Sequence, residues 1–157
     1  MKLRSEQTVF IALEKYESKK IFNSKATNSK IAVIYLNGSI SSGNGNDNEI
    51  GSDRITKAIK EARLDDKVKA IVLRVNSPGG SALASDVIWR EVYLSKTSKP
   101  VIVRLGDLAA SGGYYISCAA DKIFAQPNTI TGSIGVFAMV ANTENLFGQK
   151  FLITYTV

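Results

Sequence analysis

The chain contains no histidine, so a Ser-His-Asp triad built within one copy is excluded. It has a single cysteine, Cys118, so no internal disulfide can form, and the thiol is expected to be a buried structural one. No stretch reaches the ~18 consecutive apolar residues of a membrane-spanning helix. Met1-Lys2-Leu3-Arg4 runs into polar residues instead of an apolar signal region. There is no Gly-x-Ser-x-Gly elbow of the α/β-hydrolase kind, and no serine is followed three residues later by lysine. A phosphate-cradling Gly-x-x-x-x-Gly-Lys loop and a His/Cys metal cluster are also missing. No cofactor and no metal are expected.

The 157 residues suit one ordinary domain, and 45% hydrophobic content is that of a globular chain. The net charge of +6 comes from scattered lysines, read as a solvated exterior. With no nucleic-acid signature beside it, no nucleic-acid partner is expected. Residues 5–17 place Val9, Leu13 and Tyr16 at helical spacing, and residues 18–30 are polar. This gives an N-terminal helix and linker over 1–30 and a main domain over 31–157. Strands are predicted at 31–36, 69–75, 101–105 and 123–125, with helices at 52–64, 81–95 and 111–120. The first helix is expected to start from a Ser52 or Asp53 cap. The second is expected to bury Leu83, Val87, Ile88 and Val92. Residues 37–50 and 106–110 read as loops, 130–141 as mixed loop and strand, and 144–149 as a short helix. The apolar run 151–157 reads as a strand, and its bare end suggests a fragment truncated at the C-terminus of a larger fold. Strands alternating with helices, without clean polar alternation, predict an α/β fold with a parallel sheet buried on both faces.

Two turns come after strands, on the side where such sheets place their sites. One is Pro78-Gly79-Gly80, the other Ala109-Ala110-Ser111-Gly112-Gly113. A serine opening a helix offers an exposed hydroxyl, and the next amide, Gly112, points free where the helix dipole favours negative charge. Gly80 can offer its amide because no Cβ blocks approach. A nucleophile facing two such donors is what acyl transfer through a tetrahedral oxyanion requires. With no histidine, the base has to be a lysine, a carboxylate or a group from elsewhere.

Four stretches then carry a resemblance: Val75-Asn76-Ser77-Pro78-Gly79-Gly80, Ala109 to Tyr115, Ala119-Ala120-Asp121-Lys122-Ile123, and Thr129 to Val136. In order, over about residues 31–141, they resemble bacterial signal peptide peptidase of the protease IV type. The resemblance implies the crotonase/Clp-protease-like fold, a ββα-type spiral with crossover helices. It implies a serine endopeptidase with a Ser-Lys dyad, in which Ser111 is the nucleophile and the amides of Gly80 and Gly112 form the oxyanion hole. It further implies that Ser133, which by itself reads as a turn residue, positions the lysine. The implied substrates are signal peptides or other apolar peptides, laid out as an added strand near Gly79, Gly80 and Ser81. Small and apolar groups such as Leu83 and Met139 could line their pockets. The implied parent is a homo-oligomer associated with the bacterial inner membrane, its catalytic domain on the extracytoplasmic side.

The chain departs from that pattern in its base. The family lysine would fall just beyond Val157 in the single-domain form, or in the preceding domain in the tandem form. Lys69, Lys99 and Lys122 are poor substitutes, so this segment alone is expected to be inactive. Two other readings compete. A crotonase-like acyl-CoA enzyme shares the oxyanion glycines but needs no serine at 111. A non-catalytic scaffold domain of a tandem peptidase has no use for an intact Ser111.

Overall fold

The computed structural model describes residues 29–139 and Asn142. The expected helix over 5–17, nearly all of the linker, the helix at 144–149 and the strand at 151–157 lie outside the described residues.

Among the described residues seven strands and three helices occur in the order β1 (Lys30–Asn37), β2 (Ser39–Ser41), β3 (Glu49–Gly51), α1 (Ser52–Leu64), β4 (Val68–Ser77), α2 (Ala82–Lys96), β5 (Val101–Ala110), α3 (Gly112–Ser117), β6 (Lys122–Phe124) and β7 (Ile130–Gly132). The main sheet is parallel, with order β1-β4-β5-β6, and β7 pairs with the far end of β5. β2 and β3 form a separate parallel pair. Each step along the main sheet crosses over through a helix, as parallel neighbours require. The neighbours β4 and β5 therefore end side by side, which places the two turns beside each other.

One sheet face is packed and the other is not. Leu36, Ile71, Leu73, Val75, Val101, Val103 and Leu105 are buried beneath Ile55 and Ile59 of α1 and Ala84, Ile88 and Val92 of α2. Arg63 and Glu91 pair at 2.9 Å across the two helices. On the opposite face Ile31, Val33, Tyr35 and Phe124 are half or more exposed. The expectation of a sheet buried on both faces is thus corrected for the described residues. Apolar residues occupy both faces, which hides the alternation in sequence, but only one face is covered. Leu73 is fully buried in mid-sheet. Leu73→Ala is expected to cost about 3 kcal/mol, from lost burial plus the cavity left behind, read as a lower midpoint in denaturant unfolding.

Several boundaries differ from the sequence reading. The loop at 37–50 holds β2 and β3, because Ile40 and Ile50 bury themselves from otherwise polar stretches. Gly51, not Ser52 or Asp53, caps α1, and the Ser52 hydroxyl accepts from the Gly43 amide at 3.2 Å. α2 is capped by Ser81, whose side chain accepts from Ala84 N at 3.2 Å. Its buried face is set by Ala84, Ile88 and Val92, while Leu83 and Val87 are exposed. α3 ends at Ser117, short of Ala120.

Candidate active site

The expected loop at 106–110 is instead the continuation of β5. Val75 pairs with Leu105 and Ser77 with Ala109, so four steps along β5 oppose two along β4. The surplus residues bulge, and Asn76 holds the bulge: its Oδ1 accepts from Leu108 N at 3.1 Å. Gly106 sits so close that a Cβ there would lie 2.9 Å from that oxygen. Such bulges bend a strand and re-aim its downstream end.

Ser111 stands at that downstream end. Its φ of 52° and ψ of −119° are uncommon for a residue with a side chain. Two backbone bonds hold it there: Ser111 N donates to Gly132 O at 2.8 Å, and Tyr115 N donates to Ser111 O at 2.9 Å. Among the described residues the hydroxyl has no hydrogen-bond partner and makes no capping bond. A half-buried hydroxyl on a strained turn between a strand and a helix is presented to the cleft in front of it.

The glycine turn packs directly on that serine. Ser77 Oγ accepts from Gly79 N at 3.1 Å, fixing the turn. A Cβ on Gly79 would lie 2.7 Å from Gly112 N and 2.8 Å from Ser111 Cβ. Gly79 O accepts from Ile40 N, and Ser81 N donates to Ile40 O, both at 2.9 Å. Because backbone groups alternate along an extended strand, the N–H of Gly80 then points away from Ile40. Among the described residues neither Gly80 N nor Gly112 N has an acceptor. The residues that position these groups, Asn76, Ser77 and Ile40, carry no functional signal of their own in the sequence. Of these, only Asn76 and Ser77 lie within the four stretches that bear the family resemblance.

β7 brings up the third part. Its register pairs Ala110 with Gly132, so Ser133 comes next at the level of Ser111, also with a φ of 52°. Thr131 Oγ1 donates to Ala109 O at 2.7 Å and ties this strand end in place. A cleft of about 880 Å³ opens here, lined by Gly80, Ser81, Leu83, Ser111, Gly112, Ile134 and Phe137 among others. Met139 is almost fully exposed and does not line it. Cys118 does, and it is exposed. The expected buried thiol is therefore corrected: the short α3 ends before residue 118 and leaves that side chain at the cleft wall.

Residues 94–157 match the sequence profile of peptidase family S49. Protease 4 of Salmonella typhi is 52% identical over 120 residues, which are 76% of this chain and 19% of that protein. The chain belongs to peptidase family S49. A putative signal peptide peptidase SppA of Enterococcus faecium is 38% identical over 135 residues, 82% of this S49 chain and 39% of the relative. The chain thus spans about a fifth to two fifths of the length of these relatives. Among solved structures, a serine-to-alanine mutant of the 1510-N membrane-bound stomatin-specific protease aligns with a TM-score of 0.59 and 25% identity, covering 74% of this chain and 53% of that one. A lysine-to-alanine mutant of the same protease, in complex with a substrate peptide, aligns at 0.55 with 28% identity over 68% and 45%. ClpP1 from Listeria monocytogenes aligns at 0.50 with 24% identity over 63% and 52%, a likeness of fold.

Among the described residues no lysine lines the cleft of this S49 domain. Lys99 Nζ donates to Ala62 O at 2.9 Å and Asp65 O at 2.6 Å, closing the C-terminus of α1. Lys69 Nζ donates to Asp66 O at 2.8 Å. Lys122 pairs with Ile102 near the start of β5. Ser111 lies beyond the other end of that strand, roughly 23 Å away at about 3.3 Å per residue once the two bulged residues are discounted.

Proposed function

We propose that this chain supplies the nucleophile half of a serine endopeptidase site whose lysine base comes from outside residues 1–157. Ser111 attacks the peptide carbonyl. The amides of Gly80 and Gly112 receive the oxyanion that develops, each worth about 3–4 kcal/mol at the transition state. Ser133 orients the incoming lysine. An extended peptide adds as a strand along Gly79, Gly80 and Ser81, on the edge left free by the pairing with Ile40. The observation that carries this reading is the contact of the Gly79 turn with Ser111 and Gly112, which leaves two unclaimed amides beside an unclaimed hydroxyl.

A lysine acts as a base near pH 7 only if its pKa falls about three units from roughly 10.4, about 4 kcal/mol of desolvation or repulsion. Lys69, Lys99 and Lys122 do not line the cleft, and the first two donate to backbone carbonyls elsewhere. Identity is higher to the much longer Protease 4 than to the shorter Enterococcus relative, which favours a lysine from a second domain of one long chain. The substrates are apolar peptides, signal peptides among them. The working protein is an oligomer beside the membrane, facing away from the cytoplasm. No helix of the described residues is long and apolar enough to cross a membrane.

The test is labelling with a fluorophosphonate. The full-length protein is expected to label at Ser111 and to hydrolyse peptides, while residues 1–157 alone do neither. Ser111-dependent hydrolysis by residues 1–157 alone would overturn the external base. A full-length protein that never labels at Ser111 would overturn the nucleophile.

A further inference from the structure

The cleft lined by the apolar residues Ile134, Val136 and Phe137 also carries a carboxylate. Among the described residues that line it, Asp86 is the one Asp, Glu, Lys or Arg. It stands in the second turn of α2 and is exposed. Tyr115, four residues past Ser111, donates its hydroxyl to Asp86 Oδ1 at 2.7 Å. The Tyr115 ring in turn stacks on Trp89, with centroids 6.0 Å apart and planes 7° apart. The hydrogen bond to Asp86 and burial raise the Tyr115 pKa above the ordinary value. Its contribution to stability is therefore fully present below the unfolded tyrosine value, near 10, and is lost as pH rises through the raised folded value. The carboxylate is thus held in one orientation at neutral pH.

It is also under-used. An ionised carboxylate offers about four acceptor sites. Tyr115 takes one, and among the described residues Asp86 has no ion-pair partner. Arg90 is one turn along on the same helix, but its guanidinium lies over the Tyr93 ring at 5.6 Å. Among the described residues no other charged side chain lines this cleft, although the chain as a whole is strongly basic. Leu83, one turn before Asp86, is 72% exposed on the same wall. An aliphatic stem can lie along Leu83 and the Tyr115 ring while a cationic head reaches the open oxygen of Asp86.

We propose that Asp86, oriented by Tyr115, selects peptides with a lysine or arginine side chain near the scissile bond, next to an apolar residue seated against Ile134 and Phe137. This rests on the proposed peptidase reading and adds a substrate class to it: apolar peptides interrupted by a basic residue.

The experiment uses the full-length protein and a peptide set in which one position at a time, over four residues on either side of the cut, is lysine, norleucine or glutamate. At one position kcat/KM is expected to favour lysine over norleucine by about 3–10-fold, the size of a partly solvated charge pair, and to disfavour glutamate. Asp86→Asn keeps the acceptor for Tyr115 and removes the charge. It is expected to abolish the lysine preference, read as the ratio of kcat/KM for lysine over norleucine peptides. Asp66→Asn, a remote exposed carboxylate, should change nothing. Raising salt from 50 to 500 mM should shrink the preference in the wild type alone. Cleavage of every peptide without a lysine preference, or a preference that survives Asp86→Asn, overturns the inference and leaves the peptidase reading standing. Cleavage that persists in Ser111→Ala overturns the peptidase reading instead.

Discussion

Replacing Ser111 by alanine in the full-length protein is expected to lower peptide hydrolysis by roughly 10⁶-fold in kcat, the scale set by loss of a serine nucleophile. The surviving turnover would come from the oxyanion donors and binding alone, which elsewhere exceed water by about 10³–10⁴. The fold should be untouched. The Ser111 hydroxyl bonds to nothing among the described residues. The backbone bonds from Gly132 and Tyr115 do not involve it, and alanine inherits the same φ of 52°. The prediction is checked by comparing hydrolysis with thermal unfolding. An inactive variant with an unchanged midpoint fits a reacting hydroxyl. A variant within tenfold of wild-type activity would mean that Ser111 does not react.

Gly79→Ala is expected to damage both stability and catalysis. Its φ of +98° already disfavours a side chain, and the new methyl would sit 2.7 Å from Gly112 N, 2.8 Å from Ser111 Cβ and 3.0 Å from Ala110 O. These neighbours are backbone, or one bond from it, so none can swing aside. Overpacking and backbone strain together cost about 2–5 kcal/mol. Relief comes only by pushing the glycine turn away from the serine. A shift near 1 Å at a reacting centre costs about 10²-fold in rate, so kcat should fall at least that far even in molecules that fold. Gly43→Ala separates the causes. Its φ of +80° imposes similar strain, but nothing lies within 4 Å of the added methyl. It should cost only about 1 kcal/mol and leave hydrolysis unchanged. Equal activity in the two variants would show that the turn does not support the site.

The sequence exposes those parts of the fold that repeat a period or break it with glycine. The runs at 31–36, 69–75 and 101–105 are rich in β-branched residues, and each begins within a residue of its strand. Ser111, Gly112 and Gly80 stand out because glycine marks places where a backbone must approach closely. The hidden parts depend on pairing across distance. Gly106 and Asp107 look like loop residues, and only Asn76, some thirty positions before them, lets β5 continue past them. Ile40 reads as a stray apolar residue in a polar stretch, yet it holds the turn that carries Gly80. Leu83 and Val87 fit the helical period as well as Ala84 does, and tertiary packing decides which stripe faces the sheet. The pairing of Asp86 with Tyr115 spans 29 positions and leaves no local mark. Cys118 escapes the usual burial of thiols because α3 stops one residue short of it.

The backbone of Ser111 gives this fold a direction of decay. Its dihedral angles are ones that glycine adopts freely and serine resists, by about 1–3 kcal/mol. Every other requirement of the turn is met by main-chain atoms, so folding fitness alone would favour glycine there. A lineage released from the need to cut peptides would therefore gain robustness by the same step that disarms it, and inert descendants of such a domain should be the hardier ones.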